Sequence, residues 1–228
     1  MRVIVRTVSE LCITIGALIV LFVAYVLFWT GVKADGLMSE QVERLQQQWS
    51  RGGVHEPAGP GAATGPATPG PYRSGGAFAI MYIPRFGFTW NKPVLEGTGT
   101  DVLKKGLGHY ARTARLGQRG NFSVAGHRRT YGDPFKDFPE LRPGDAVVLT
   151  DGSTWFTYRI DKGPYKTVPT DVEVIDAVPR MSGYTRPGRY LTLTTCEPEW
   201  GHSHRLIVWA HLDSTQPAEA GKPTALRR

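Results

Sequence analysis

The sequence predicts an all-β domain, a closed or nearly closed barrel with few and short helices, preceded by one N-terminal helix long enough to cross a bilayer. Three observations carry this reading. Short β-rich runs recur between Gly, Pro and Asp punctuation: "AFAIMYI" (77–83), "NFSVAGH" (121–127), "DAVVLT" (145–150), "STWFTYRI" (153–160), "RYLTLTT" (189–195) and "RLIVWAHL" (205–212). Strands at that spacing, with turn signals between them, belong to sandwiches and barrels. Helix signals within the same region are sparse: "TDVLKKG" (100–106), with Thr100 as a cap, and "DPFKDF" (133–138) support a turn or two each. Ahead of the domain, residues 11–32, "LCITIGALIVLFVAYVLFWTGV", hold no charged side chain.

Taken in order, residues 1–10 form a short N-terminus with Arg2 and Arg6, and residues 11–32 form the membrane anchor. A run of that length matches the hydrocarbon core as a helix, and Trp29 near its outer end suits the interface. A cleaved signal peptide has a shorter apolar core and a small-residue cleavage site, and no such site follows here. Arg2 and Arg6 before the span, against Lys33 offset by Asp35 after it, place the N-terminus in the cytoplasm and the rest outside. Residues 33–50 read as a stalk of helix formers, with Leu37, Val42, Leu45 and Trp49 at loosely helical spacing. Residues 51–76 are half Gly plus Pro and read as a disordered linker. Residues 77–213 are the single folded domain, and 214–228, "STQPAEAGKPTALRR", read as a disordered tail.

The chain is basic, with net charge +7 and a pI near 9.5. That balance suits an anionic wall or lipid surface. The charges are scattered, without a lysine-rich run or a basic helix interleaved with aromatics, so nucleic acid is not an expected partner. Of the two cysteines, Cys12 lies in the apolar run and Cys196 in the domain. The membrane separates them, so Cys196 is a lone thiol in an oxidising compartment, a mark of a reactive group or an intermolecular bridge.

Strand parity sorts the remaining residues. In "RYLTLTTC", Leu191 and Leu193 share one face, and Thr192, Thr194 and Cys196 the other. In "RLIVWA", Leu206, Val208 and Ala210 oppose Arg205, Ile207 and Trp209; in "NFSVAGH", Phe122 and Val124 oppose Ser123, Ala125 and His127. With the aliphatic faces inside, Cys196, Arg205 and His127 all face away from the core. The seven residues between Cys196 and His204 make a hairpin that returns Arg205 beside the cysteine. A cation nearby favours the nucleophilic thiolate, a guanidinium can hold a developing oxyanion, and an imidazole can protonate a leaving amine. These three side chains suffice for acyl transfer through a thioester. His202, His204 and His211 lack a Cys or carboxylate that would complete a ligand set, so neither a metal nor any other cofactor is expected. His109, in "GLGHY", reads as structural, and Glu197 and Glu199 as a solvated loop.

"TLTTC" followed by Arg205, with "AGHRRTYGDPF" upstream, resembles the sortases, most closely the class E sortases of actinobacteria; the similarity runs over 77–212 and includes "MYIPRFG" and "GLGHY". The resemblance implies an eight-stranded β-barrel on a single-pass anchor with the catalytic domain extracellular. It implies a cysteine transpeptidase that cleaves a C-terminal sorting signal, of the Leu-Ala-x-Thr-Gly type, between Thr and Gly. The acyl group then passes from the enzyme to an amine of a peptidoglycan precursor, so the partners are signal-bearing surface proteins and that acceptor. His127 corresponds to the catalytic histidine, Cys196 to the nucleophile and Arg205 to the active-site arginine. Tyr82 and Thr195 are the candidate substrate-binding residues, Tyr82 as the group that tells alanine from proline, by accepting the backbone N–H that proline lacks or by filling the space its ring would need. An L,D-transpeptidase would carry histidine two residues before the cysteine, where Thr194 stands. A wall-binding module with a packing cysteine is the non-enzymatic alternative.

Overall fold

The computed structural model describes residues 2–52 and 71–227. Helix α1 (Arg2–Ser50) is continuous, about 73 Å at 1.5 Å per residue. The apolar run and the segment after it are therefore one element, with Gly16, Gly31 and Gly36 inside it and nothing within 4 Å of a Cβ built on them. The stretch Ile4–Val23, of mean hydropathy 2.0, is long and apolar enough to cross a bilayer. Arg6 and Glu10 pair on the helix surface within that window at 3.0 Å, whereas 11–32 is free of charge.

Eight strands close into a barrel: β1 (Ala77–Tyr82), β2 (Asn91–Glu96), β3 (Leu107–His109), β4 (Gly120–Ala125), β5 (Ala146–Thr150), β6 (Thr154–Thr167), β7 (Arg189–Glu197) and β8 (His204–Pro217). The order around the barrel is β1-β2-β3-β4-β7-β8-β6-β5. The β2–β3 and β4–β7 pairs are parallel and the others antiparallel. Closure leaves no bare edge to template aggregation. The only α-helix inside the domain is the short α2 (Thr100–Leu103).

The interior is filled by alternate residues of every strand, among them Ala79, Met81, Phe122, Val124, Leu191, Leu193, Leu206, Val208 and Tyr158. The opposite faces are covered in two places. Ile207 and Trp209 lie under Val174 of the β6–β7 connection, where the Trp209 indole donates to the Val174 carbonyl at 3.0 Å. On the far side Ile80, Tyr82, Val148 and Trp155 lie under Val42 and Leu45 of α1.

That second contact decides how the stalk sits. Ala34, Met38, Val42 and Leu45 are buried and Trp49 half-buried, three or four residues apart, whereas Leu37 is exposed. The stripe on α1 is thus shifted by one residue from the Leu37 pattern. It docks on the β1–β2 flank of the barrel.

Two disordered-segment expectations are corrected. The tail from 214 is ordered: β8 runs on to Pro217, pairing with Thr154, and two 3-10 turns follow at Ala218–Ala220 and Thr224–Leu226. Ala218, Ala225 and Leu226 pack on the cluster under α1, which gives this polar segment apolar surface to cover. Most of the expected linker, 53–70, lies outside the described residues. Its end does not behave as a tether: Tyr72 stacks on Phe78 at 3.7 Å beneath the Arg115 guanidinium, and Ser74 bridges to Glu96. One aromatic suffices to fix this end of a Gly/Pro run.

Candidate active site

β7 and β8 pair antiparallel with Cys196 directly opposite Arg205. Directly opposed residues point to the same face, so thiol and guanidinium leave the barrel side by side. Their strands are placed by the inward Leu191, Leu193, Leu206 and Val208. Two backbone carbonyls hold the guanidinium, one in the loop and one at the start of β8: Arg205 Nη1 donates to His202 at 3.0 Å and His204 at 2.9 Å. The hairpin thereby fixes the orientation of the guanidinium.

β4 lies parallel to β7 with Ala125 beside Thr194, and the Gly126 N–H continues the ladder to the Thr194 carbonyl at 3.1 Å. His127 then leaves the strand next to Cys196, and both line one cavity of about 280 Å³ with Arg128, Arg129 and Trp200. A substituent at Gly126 would sit 2.6 Å from the Phe135 ring, so the strand end is close-packed where the histidine departs.

The electrostatics single out His127. Burial first, and then the Lys104 ammonium, hold its imidazole below the ordinary histidine range, so the ring is mainly neutral at neutral pH. Its Nε2 is buried and has no hydrogen-bond partner among the described residues. Unsatisfied buried nitrogens are costly. Here the residue that carries it lines the cavity of the Cys196 thiol.

The loop between β7 and β8 is held from outside, not solvated. Glu197 pairs with Arg128 and Glu199 with Arg129, while Trp200, 72 % exposed, lies 5.0 Å from the Arg129 guanidinium. The expectation for the two glutamates is corrected: the consecutive arginines after His127 reach them across the cavity mouth. His211 pairs with Asp161 at 2.8 Å, away from His202 and His204.

A family model described as "Sortase domain" matches residues 81–213. The chain belongs to the sortase family. It is 38% identical to sortase SrtE1 of Streptomyces coelicolor over 97% of its length, and spans 60% of the length of that relative. It is 30% identical to sortase SrtE2 of the same organism, over 98% of this chain and 88% of the relative. Sortase E from Streptomyces avermitilis is 83% identical and superposes with a TM-score of 0.66, over 68% of this chain and all of that one. A Streptomyces coelicolor sortase E1 structure, solved with a tripeptide in the active site, is 39% identical, with a TM-score of 0.63 over 67% of this chain and 97% of that one. These relatives mark the sortase as most similar to class E.

Two expected substrate residues of this sortase lie elsewhere. Tyr82 ends β1 on the flank covered by α1, buried against Trp155 at 5.7 Å. It does not line the Cys196 cavity. Thr195 points opposite to Cys196, is 2 % exposed, and spends its hydroxyl on the Gly126 carbonyl at 2.8 Å. Thr195 thus ties β7 to β4 one residue before His127 and is a positioning residue. The strand alternation that selected Cys196 already excluded its neighbour.

The sequence reasoning missed Tyr110. Its hydroxyl meets that of Thr194 at 3.1 Å, and Thr194 shares the face of Cys196. Tyr110 directly follows β3, and "GLGHY" was the signal available for finding it.

Proposed function

We propose that this sortase is a membrane-anchored transpeptidase that cuts a Leu-Ala-x-Thr-Gly sorting signal between Thr and Gly and passes the new carboxyl end to an amine of a peptidoglycan precursor. The observation that carries the reading is Cys196 and Arg205 opposed on one face, with His127, whose Nε2 has no partner among the described residues, lining the cavity of Cys196. Helix α1 anchors the chain with its N-terminus in the cytoplasm and the barrel outside.

Cys196 Sγ attacks the Thr carbonyl, and His127 takes the thiol proton. The Arg205 guanidinium faces the oxygen that becomes negative, where a preoriented cationic donor counts most. As the C–N bond breaks, the imidazolium gives its proton to the departing glycine nitrogen, and a thioester remains on Cys196. The acceptor amine then attacks that carbonyl, loses its proton to His127, and expels the thiolate, which takes that proton back from the imidazolium. Protons balance over the cycle, and no cofactor is needed. A neutral resting His127 suits the first and last proton acceptances.

Signal preference is assigned to the Tyr110 hydroxyl, which meets that of Thr194 at 3.1 Å, two residues before Cys196 on the same face of β7 though outside the lining of the cysteine's cavity. An alanine in the signal keeps a backbone N–H that proline lacks, and a hydroxyl can accept it. The test incubates the full chain with Leu-Ala-x-Thr-Gly and Leu-Pro-x-Thr-Gly peptides in competition and follows the acyl-enzyme by mass spectrometry. An adduct on Cys196 from the alanine peptide supports the reading; cleavage without an adduct on Cys196, or preference for proline, refutes it.

A further inference from the structure

A second cavity, about 460 Å³, lies between helix α1, the end of α2 and the loop after His127; Lys33, Leu37, Lys104, Lys105 and Tyr131 line it, with Asp101 at the rim. Of the nearby carboxylates, Asp101 pairs with Lys104 inside the groove at 3.3 Å, and Asp35 is taken by Lys92 outside it at 2.8 Å. Lys33 and Lys105 are left without a carboxylate among the described residues. The groove combines apolar walls with uncompensated positive charge.

Its height follows from α1. Residues 11–32 make about 33 Å of helix, close to the thickness of a hydrocarbon core. Lys33 is the first charge beyond it, and Leu37 stands about 6 Å higher. On each side of a bilayer the headgroup layer is about 5–7 Å deep. The groove therefore opens where lipid phosphates lie.

The groove is also joined to the catalytic histidine. Residues Thr130, Tyr131, Gly132 and Asp133 all have positive φ (76°, 50°, 79° and 47°), an arrangement that costs about 1–2 kcal/mol for each non-glycine residue. The run folds the loop tightly onto the stalk: a Cβ on Gly132 would sit 2.5 Å from Met38 Cε. It sets the Tyr131 ring 5.2 Å from His127 on one side and 5.8 Å from Lys104 Nζ on the other.

We propose that this groove binds the phosphate of an anionic membrane lipid, with Lys33, Lys104 and Lys105 around the headgroup and Leu37 and Tyr131 against its apolar part. The proposal rests on the reading of α1 as a membrane anchor. Lipid bound there seats the catalytic cleft at the bilayer surface and supplies an anion beside Lys104, whose charge otherwise opposes protonation of His127.

The experiment uses the full chain in neutral detergent micelles, titrated with phosphatidylglycerol, phosphatidylcholine or inorganic pyrophosphate, with melting temperature as the readout. Phosphatidylglycerol should stabilise the wild type saturably, and phosphatidylcholine should not. Near an anionic lipid surface each lysine contributes about fivefold in affinity, so Lys33→Gln with Lys105→Gln should shift the midpoint about 25-fold. Equal midpoints for wild type and double variant overturn the groove, and so does equal saturation by pyrophosphate, which would mark a free-phosphate site. Carbonate-resistant insertion into vesicles is measured in parallel for both proteins. Insertion with equal midpoints sinks the groove alone; failure to insert sinks the anchor and the groove with it.

Discussion

Two histidines follow a glycine at the end of a barrel strand, and they have opposite fates. His109 is 1 % exposed, and both of its ring nitrogens are engaged: Nδ1 meets Glu96 at 2.6 Å, and Nε2 meets the Ala114 carbonyl and the Thr113 hydroxyl, each at 3.1 Å. Its ring stacks on Phe122 at 4.7 Å. His127 is half-buried, its Nε2 has no partner among the described residues, and a thiol shares its cavity. A histidine with every nitrogen engaged holds structure. One with a nitrogen to spare beside a nucleophile is available for proton transfer.

The sharpest test of that contrast is at the nucleophile. Cys196→Ala should fold and melt like the wild type yet form no acyl-enzyme; turnover of a sorting peptide by the folded variant would remove the mechanism. His127→Ala should lose about 10²–10⁴ in rate with the fold intact, the range for a general acid–base group. His109→Ala should do the reverse. Its rate per folded molecule stays near that of the wild type, while unfolding in urea comes about 3 kcal/mol earlier because a buried carboxylate loses its partner. If the two alanine variants behave alike, the distinction fails.

Arg205→Ala should cost about 10²–10³ in rate, as for loss of one oxyanion donor. Lys at that position should restore only part, since an ammonium cannot reproduce the fork that the two carbonyls orient. Full activity in Arg205→Ala would make the arginine structural.

The smallest effect is electrostatic. Lys104→Met removes a positive charge near His127, so the imidazolium is opposed less and the ring should titrate at higher pH than in the wild type, as read by NMR of its ring protons. Because the folded-state value is depressed, neutral His127 contributes stability above the ordinary histidine value, and that contribution is lost as pH falls through the folded one. Lys104→Met should lessen this acid-side loss; an unchanged titration would leave burial as the sole cause.

How far the sequence could be read depended on whether the deciding partner was local. Alternation within a strand is local, and it put Cys196, Arg205 and His127 on one side of the barrel wall. The aliphatic residues expected to oppose them do fill the interior. Tyr82 failed because its neighbour is Val42 on a helix forty residues away in the chain, which no strand pattern reveals. The tail failed for the same reason: "STQPAEAGKPTALRR" looks too polar to fold until Trp155 and α1 offer it a surface. The salt bridges over the cavity mouth needed the fold to bring residues 128–129 to 197–199.

The unbroken α1 has a mechanical consequence. Its stripe from Ala34 to Trp49 lies along the barrel, so helix and barrel turn as one body. A catalytic domain on a coil sweeps a volume that grows with the coil's length, whereas one fixed to a post keeps a bearing and an altitude. With the post in a bilayer, the cleft would trace a ring of fixed radius about the helix axis. Substrate capture then becomes a search in two dimensions, paced by lateral drift of the post and by its spin.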